Sequence, residues 1–255
     1  MKNGVIGGLC VMALLLSTSA TACSRPMRMA IEQWPPYIYS DAKGQPAGVD
    51  IELARAIFAE AGCSLQIGLE LPRKRRIDQF MKGEIDLMLA ASDTPERQAF
   101  SRFSSAYRTE SISLFTLNSK LDKYREISEF GTVLQQKITL LAPNAGWYGD
   151  DYKKHYFWLN EARLLSPYET STQAIKMLSG NRAELLMGDT GALIYEAKLQ
   201  SVPLEQIGKP IHSDKVSLML SKKTTTEKDV QILNAAIERL EKNGALKKIR
   251  AAYGL

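Results

Sequence analysis

A short apolar run at residues 85–90 constrains the fold more than any other feature of the chain. Only Asp86 interrupts it, so it lacks the polar alternation of a strand with one face in water. It follows a segment of helical periodicity at residues 76–81 and precedes a helix start at Thr94. A nearly continuous apolar strand between helices is typical of a buried parallel sheet. The run therefore predicts a parallel sheet that is covered by helices.

The segments before this run continue the alternation of strands and helices. Residues 27–32 and 64–69 have the character of strands, and residues 49–61 carry apolar side chains at helical spacing. Asp50 suits the N-cap of that helix, and Gly62 suits its end. The order strand, helix, strand, helix, strand predicts an open α/β sheet.

The alternation of strand and helix patterns then begins again and predicts a second, smaller α/β unit. Its strands and helices are predicted at residues 111–117, 137–142, 170–178, 184–187 and 191–198. The chain returns through a predicted strand at 216–220 to an amphipathic helix at 227–252, which Gly244 interrupts. We therefore expect two units that are joined by short crossings near residues 110–118 and 208–220.

Composition excludes several classes of protein. The 255 residues suffice for one large domain or two ordinary ones, and 45% hydrophobic with 24% charged residues excludes disordered, collagen-like and coiled-coil chains. The net charge of +5 is small and dispersed, so it does not indicate nucleic-acid binding. Three cysteines and two histidines, His155 and His212, are too few for a zinc ribbon and offer little for histidine-based catalysis.

Residues 1–22 have the features of an export signal. Lys2 precedes an apolar stretch at residues 5–16 that is too short to span a bilayer, and residues 20–22 offer the small side chains of a cleavage site. We therefore expect a periplasmic mature chain that begins at Cys23. Cys10 would be removed with the signal peptide.

The two remaining cysteines have alternative interpretations. An exported compartment permits a disulfide between Cys23 and Cys63. Alternatively, Cys23 is acylated in a lipoprotein, although Ala20 stands where a lipobox usually has a larger aliphatic residue. The disulfide is favoured, because acylation would leave Cys63 unpaired.

Three segments place unusual residues at predicted strand ends, where ligands bind in open α/β sheets. The first contains Glu32, Trp34 and Tyr37, with two prolines that fix the backbone. The aromatic rings offer flat apolar faces with polar edges, but either ring alone fits the hydrophobic core equally well.

The second segment contains Ser92, Thr94 and Arg97. Thr94 before Pro95 predicts an N-cap followed by proline at the first helical position. The helix dipole disfavours a cation in this first turn, so Arg97 needs a partner. A bound carboxylate would supply one through two parallel hydrogen bonds, and an ion pair with a nearby acid is the alternative.

The third segment is Gly188-Asp189-Thr190, which follows the strand at 184–187. An aspartate at a strand end could hold an ammonium group in a cleft. It could equally cap the following helix, and the residues alone favour the cap.

Several short motifs resemble one family when they are taken in order. They are residues 34–37 (WPPY), 48–53 (GVDIEL), 82–86 (KGEID), 94–97 (TPER), 103–107 (FSSAY), 180–184 (GNRAE), Gly244 and 253–254 (YG). Their order and spacing are similar to those of the bacterial extracellular solute-binding proteins of family 3, the branch that binds polar amino acids. The resemblance covers almost the whole mature chain.

This resemblance implies a two-lobed α/β fold, the type II periplasmic-binding-protein fold. Each lobe is expected to be an open, mostly parallel sheet flanked by helices, with a two-stranded hinge between the lobes. The expected division gives residues 23–113 and 214–255 to lobe I and residues 114–213 to lobe II. The ligand is expected to lie between the lobes, which close on it by a hinge motion.

The resemblance also implies roles for single residues. Arg97 matches the arginine that binds an α-carboxylate, and Asp189 matches the aspartate that accepts an α-ammonium. Trp34 matches an aromatic position over the ligand, and Ser92 lies near a hydroxyl position. The turn at residues 146–149 replaces the lobe II turn whose amides face the carboxylate, which adds the candidates Gly146, Trp147 and Tyr148.

Two departures from the family pattern bear on the ligand. The segment from Asp86 to Arg97 is one residue shorter than usual, and alanines occupy positions 90 and 91, where serine is common. Arg73, in the run of cations at residues 73–76, falls near the second aromatic position. Such a run usually forms a solvated face. A cation that faced the cleft would instead indicate a larger or more negatively charged ligand.

We expect a binding protein that captures a small amino acid or related carboxylate and delivers it to an ABC-type permease in the inner membrane. No cofactor, metal, catalytic residue or nucleic acid is expected, and the protein is expected to be a monomer. One alternative is a cleft enzyme of cyclohexadienyl-dehydratase type with Glu32 or Asp189 as general acid. The other is a ligand-sensing subunit for a membrane receptor.

Overall fold

The structure is a computed structural model that describes residues 22–254. The predicted signal peptide lies outside the described residues, apart from Ala22. No helix within residues 22–254 is long and apolar enough to cross a membrane.

Lobe I begins with alternating strands and helices, as the sequence predicts. Its first elements are β1 (Met27–Ile31), β2 (Tyr39–Ser40), β3 (Pro46–Ala47), α1 (Val49–Glu60), β4 (Leu65–Glu70), α2 (Arg73–Lys82), β5 (Leu87–Ser92) and α3 (Pro95–Gln98). Strands β1 and β4 pair in parallel, and β2 pairs with β3 in a small hairpin.

A long strand, β6 (Ser101–Leu117), then carries the chain into lobe II. After a short 3-10 turn, lobe II contains α4 (Leu121–Tyr124), α5 (Phe130–Gln135), β7 (Leu140–Pro143), α6 (Asp150–Glu161), β8 (Leu165–Tyr168), α7 (Ser171–Ser179), β9 (Leu185–Asp189) and α8 (Thr190–Leu199). The chain returns through β10 (Leu204–Ser221) to α9 (Glu227–Lys242) and α10 (Ala245–Ala252) in lobe I.

The two long strands form the hinge and the centre of a mixed sheet. They pair antiparallel from Ser221↔Ser101 at the lobe I end to Leu204↔Leu117 at the lobe II end, with a register shift between Ile207 and His212. The order in the six-stranded sheet is β5-β10-β6-β9-β7-β8. The paired strands β6 and β10 therefore lie between β5 of lobe I and β9 of lobe II.

Each lobe has its own apolar core. In lobe I, Ile51, Leu53 and Ile57 of α1 pack with β1 and α9. In lobe II, Leu114 packs on one face of the sheet and Phe115 on the other. This separation agrees with the expected division into lobes, whose boundaries at 113/114 and 213/214 stay a prediction.

The disulfide prediction is confirmed. Cys23 and Cys63 are bonded, with their Cα atoms 5.2 Å apart, and both are buried in the lobe I core. The bond ties the start of the described chain to the residues that follow α1.

Some local predictions need correction. The predicted strands at 111–117 and 216–220 are parts of β6 and β10, which extend much further. Asp50 does not cap α1; the N-cap is Gly48, whose φ of 111° suits glycine, while the Asp50 carboxylate is ion-paired with Arg108. Helix α6 has no counterpart in the prediction, because its exposed Tyr156, Phe157 and Trp158 obscure the amphipathic pattern.

Candidate ligand-binding cleft

A cavity of about 180 Å³ lies between the lobes, against the hinge. Most of the residues that the sequence predicts for the site line it: Glu32, Trp34, Arg73, Ser92, Arg97, Gly146, Trp147, Tyr148 and Asp189. Tyr37 lies behind the wall, in the lobe I core. The fold thus brings together residues from five separate segments of the chain, although their role in binding stays a prediction.

Arg97 projects from the first turn of α3. Thr94 caps this helix through a 3.4 Å hydrogen bond from the Arg97 amide to Thr94 Oγ1, as predicted. The Arg97 guanidinium donates to the Ser92 carbonyl at 2.8 Å. No ion pair to Arg97 occurs within the described chain, so the local-acid alternative is not seen. Burial lowers the pKa of this guanidinium, and a bound carboxylate would offset that burial.

Asp189 lies at the end of β9, on the opposite side of the cavity. Its Oδ1 accepts a hydrogen bond from the Ala192 amide at 2.7 Å. Asp189 therefore caps α8, which is the alternative that the residues alone favour. Its Oδ2 is buried and has no hydrogen-bond partner among the described residues. The Tyr37 hydroxyl also hydrogen-bonds this carboxylate. Asp189 therefore caps a helix through Oδ1, while its Oδ2 is left for a donor in the cleft.

The aromatic wall of the cleft rests on a buried ion pair. Arg108 donates to both oxygens of Asp50, at 2.7 and 2.8 Å. Its guanidinium lies 4.1 Å from the ring centre of Tyr37 and 5.4 Å from that of Trp34, and the two rings are 4.5 Å apart. Trp34 lines the cavity, whereas the Tyr37 ring is buried behind it and its hydroxyl hydrogen-bonds the Asp189 carboxylate of lobe II. A role of Tyr37 in ligand binding stays a prediction.

The lobe II turn at residues 144–149 depends on glycine. Gly146 has φ of 146°, and a Cβ there would lie 2.3 Å from the Tyr148 hydroxyl oxygen. That hydroxyl donates to the Ala145 carbonyl at 2.7 Å, which folds the turn over its own tyrosine. Gly149, with φ of 92°, precedes α6 as its N-cap.

Several polar contacts join the lobes across the cleft. Arg73 of α2 donates to the Ala145 carbonyl and, at 3.0 Å, to the Tyr148 hydroxyl. At the rim, Lys153 of α6 is 2.6 Å from Glu96 of α3. Each contact joins a residue of lobe I to a residue of lobe II, so these contacts indicate a closed arrangement of the lobes.

The run of cations at residues 73–76 divides between the cleft and the surface. Arg73 and Arg76 line the cavity and their side chains are 30% and 6% exposed, whereas Lys74 and Arg75 are exposed. Arg76 is 2.6 Å from Glu32, and Arg73 is 3.7 Å from the same oxygen. The solvated-face interpretation is therefore wrong for these two arginines, because the helical spacing of three turns both toward the cavity.

Sequence reasoning missed several lining residues. Glu110 lies in the middle of β6, and Tyr168 and Thr170 end β8 and cap α7. Tyr168 could have been predicted, because it ends a strand and ligands bind at the strand ends of open α/β sheets. Glu110 lies in the interior of a strand, where no local sequence pattern indicates a site. Ala90 has φ of 51°, a strained value for a residue with a side chain, where β5 shifts register against β10.

Comparisons with known proteins agree with this architecture. The family model for bacterial extracellular solute-binding proteins, family 3, matches residues 27–255. A probable amino-acid-binding protein of Bacillus subtilis, YxeM, is 22% identical over 221 residues, which cover 86% of this chain and 79% of that protein.

Solved structures show the same fold at low identity. A histidine kinase sensor domain with similarity to periplasmic binding proteins has a TM-score of 0.75 at 15% identity, covering 91% of this chain and 97% of that one. The ancestral amino acid-binding protein AncCDT-1, a precursor of cyclohexadienyl dehydratase, has a TM-score of 0.72 at 20% identity, covering 89% and 95%. With its two-lobed type II fold and a family match across residues 27–255, the chain belongs to the bacterial extracellular solute-binding proteins, family 3.

Proposed function

We propose that the protein binds a small α-amino acid or a closely related carboxylate in the interlobe cleft. The observation that carries this proposal is the placement of Arg97 and Asp189 on opposite lobes, facing one cavity. Arg97 has no acid partner, and one Asp189 oxygen has no donor, among the described residues. A zwitterion would satisfy both, with its carboxylate on lobe I and its ammonium on lobe II.

The name of the curated relative supports the same ligand class. YxeM is a probable amino-acid-binding protein, and AncCDT-1 is an ancestral amino acid-binding protein. A ligand that bridges the lobes also stabilises the closed arrangement, which is the state that a membrane partner would recognise. Delivery of the solute to an ABC-type permease, by a monomer in the periplasm, completes the proposal.

Thermal unfolding in the presence of single amino acids tests the binding function. A ligand at about 100 times its dissociation constant adds about 2.7 kcal/mol to the free energy of unfolding, which raises the melting temperature measurably. Native mass spectrometry of protein purified from its own compartment would show a retained ligand as added mass. If no amino acid and no small carboxylate shifts the melting temperature, the proposed ligand class is wrong.

One observation favours a second candidate, a cleft enzyme. Burial and the nearby Asp189 raise the pKa of the Glu110 carboxyl, which suits a proton donor. Glu32 fits this role poorly, because Arg76 holds it in an ion pair at 2.6 Å. Formation of product from a prephenate-like cyclic acid, lost in Glu110→Gln, would favour the enzyme over the binding protein.

A further inference from the structure

Glu110 lies on the same face of the hinge sheet as Asp189. Ile112 of β6 pairs with Asp189 of β9 in an antiparallel ladder, so their side chains share a face. Glu110 is two residues before Ile112 and points to that face as well, because side chains alternate along a strand. Glu110 and Asp189 are therefore diagonal neighbours on adjacent strands, and the Cα atoms of such neighbours lie about 7–8 Å apart. Both carboxylates line the cavity.

Neither carboxylate is fully satisfied within the described chain. Asp189 is 7% exposed, and its Oδ2 is buried without a hydrogen-bond partner. The Glu110 carboxylate makes no hydrogen bond or ion pair with any residue from 22 to 254. Glu110 is half-buried, whereas Asp189 Oδ2 is a buried acceptor without a donor. Such acceptors are costly and rare, and in a cavity they indicate where a ligand donates.

The charges around the pair come from several elements. Arg97 of α3 and Arg73 of α2 approach Glu110 from lobe I, and Arg108 with its partner Asp50 lies behind Tyr37. Tyr37 and Tyr148 are the neighbouring hydroxyls. Burial and the Asp189 charge raise the pKa of Glu110, and burial raises that of Asp189, while the arginines act in the opposite direction. Near neutral pH the two carboxyls therefore hold a proton when no cation lies between them.

We propose that Glu110 acts with Asp189 as a second ammonium-binding carboxylate, so that the cleft selects ligands with a primary ammonium group. This inference rests on the proposed function and adds a specificity residue to it. A primary ammonium has three N–H donors and a full charge. A carboxyl of the pair that holds a proton would release it when the ammonium binds, so that both carboxylates accept from the ammonium. A 2-hydroxy acid keeps the carboxylate for Arg97 but brings one donor and no charge to this pair.

Glu110→Gln tests the proposal with ligands of known chemistry. The twenty standard L-amino acids are first screened on the wild type, and the tightest binder is then compared with its 2-hydroxy-acid analogue by titration calorimetry. We expect Glu110→Gln to weaken the amino acid at least about tenfold, because a hydrogen bond to a charged group is lost. The preference for the amino acid over the hydroxy acid should shrink by a similar factor.

Asp214→Asn provides the matched control. Asp214 stands opposite Glu110 in the hinge ladder, is 41% exposed, and is not among the residues that line the cavity. Its substitution should change both affinities less than about twofold, as for other exposed charges.

Proton release supplies a second measurement that needs no variant. At pH 7 the wild type should release a fraction of a proton on binding the amino acid, detected as a dependence of the calorimetric heat on the buffer's ionisation enthalpy. Its affinity should fall as the pH is lowered from about 8 to about 6, since the proton competes with the ammonium. Both effects should shrink in Glu110→Gln to what Asp189 alone contributes, since burial also raises the pKa of Asp189.

The outcomes separate this inference from the function on which it rests. If the wild type binds an amino acid but Glu110→Gln keeps the same affinity, preference and proton release, Glu110 has no part in ammonium binding and the proposed function stands. If the wild type binds none of the twenty amino acids, both fail.

Discussion

The two walls of the cleft carry opposite charge. Among the described residues, the arginines that line the cavity all come from lobe I: Arg73, Arg76 and Arg97. The lining acids of lobe II and the hinge are Glu110, Glu169 and Asp189, and the lobe I acid Glu32 is ion-paired with Arg76. A ligand with both charges therefore contacts both walls, whereas a simple anion would contact one. We therefore expect the binding of a zwitterionic ligand, more than that of a simple anion, to favour closure of the lobes.

The walls also differ in how they are held. The lobe I wall rests on the buried Asp50–Arg108 pair, on which Trp34 and Tyr37 stack. The lobe II wall rests on backbone conformation, since Gly146 and Gly149 both have positive φ in the turn that faces the cavity. One wall should therefore be sensitive to loss of a charge, and the other to addition of a side chain.

The largest effect is expected from Asp50→Ala. This change leaves the Arg108 guanidinium buried without its carboxylate, which typically costs about 3–5 kcal/mol. Urea unfolding followed by circular dichroism should show this loss. Glu238→Ala, at an exposed position on α9, should leave the unfolding midpoint unchanged. A loss of less than about 1 kcal/mol in Asp50→Ala would mean that the ion pair does not support the lobe I wall.

Arg97→Ala should have the next largest effect, on binding rather than on stability. Removing one partner of a buried charge pair with a ligand carboxylate should weaken amino-acid binding by about 100-fold or more. The unfolding midpoint without ligand should stay close to that of the wild type, because Arg97 makes one side-chain hydrogen bond within the described chain, to Ser92. Titration calorimetry measures the affinity.

Arg125→Ala is the control for this change, since Arg125 is 63% exposed and pairs with Asp122 at the surface. Its affinity for the same amino acid should match the wild type. Unchanged affinity in Arg97→Ala would remove Arg97 from the site and leave the charge of the lobe I wall without a function.

The sequence predicts the fold better than it predicts which residues line the two walls of the cleft. Alternating strands and helices and the position of Arg97 are readable from local patterns, because each has a short-range signal such as periodicity or a helix cap. The disulfide, whose cysteines are 40 residues apart, is predicted instead from the exported compartment and the number of cysteines. The long extent of β6 and β10 is not readable, since the residues near Glu110 and Asp214 are polar on a strand that crosses between lobes. Their pairing depends on contacts about a hundred residues apart.

The contacts of some cleft residues cannot be predicted from the neighbouring sequence. Arg73 belongs to a cationic run that usually indicates a wet surface, and only the packing of α2 against the cleft turns it inward. Asp50 has the right position for a helix cap, but its carboxylate pairs with Arg108, which is 58 residues away. In both cases a tertiary contact replaces the local interaction that the sequence indicates.

Gly146→Ala tests the lobe II wall and should have a moderate effect. The new Cβ would meet the Tyr148 hydroxyl, so the ring must move and lose its bonds to Ala145 and Arg73. We expect amino-acid binding to weaken by about tenfold and the unfolding free energy to fall by about 1 kcal/mol or more. Gly44→Ala is the matched control, because Gly44 also has positive φ but its Cβ would meet no atom within 4 Å. Gly44→Ala should lower the unfolding free energy without changing the affinity for the amino acid. If the two variants bind the amino acid with equal affinity, the turn does not shape the cleft.

The smallest effect is expected at the rim, where Lys153 of lobe II meets Glu96 of lobe I. The two side chains are 59% and 62% exposed, so Lys153→Met should weaken amino-acid binding less than about threefold. A double-mutant cycle with Glu96→Gln measures the coupling, which should vanish in about 1 M salt.

The pH dependence distinguishes this rim pair from the carboxylates on the cleft floor. The hydrogen bond from Lys153 lowers the pKa of Glu96 to about 2. A lowered acid pKa means that the interaction is complete above the ordinary glutamate pKa and is lost only as the pH falls through about 2. The contribution of the rim pair should therefore stay constant from pH 8 to 6, the range in which protonation of Glu110 weakens binding. A rim coupling that changed across this range would mean that the two walls do not act independently, because protonation at the floor would then alter how the lobes meet at the rim.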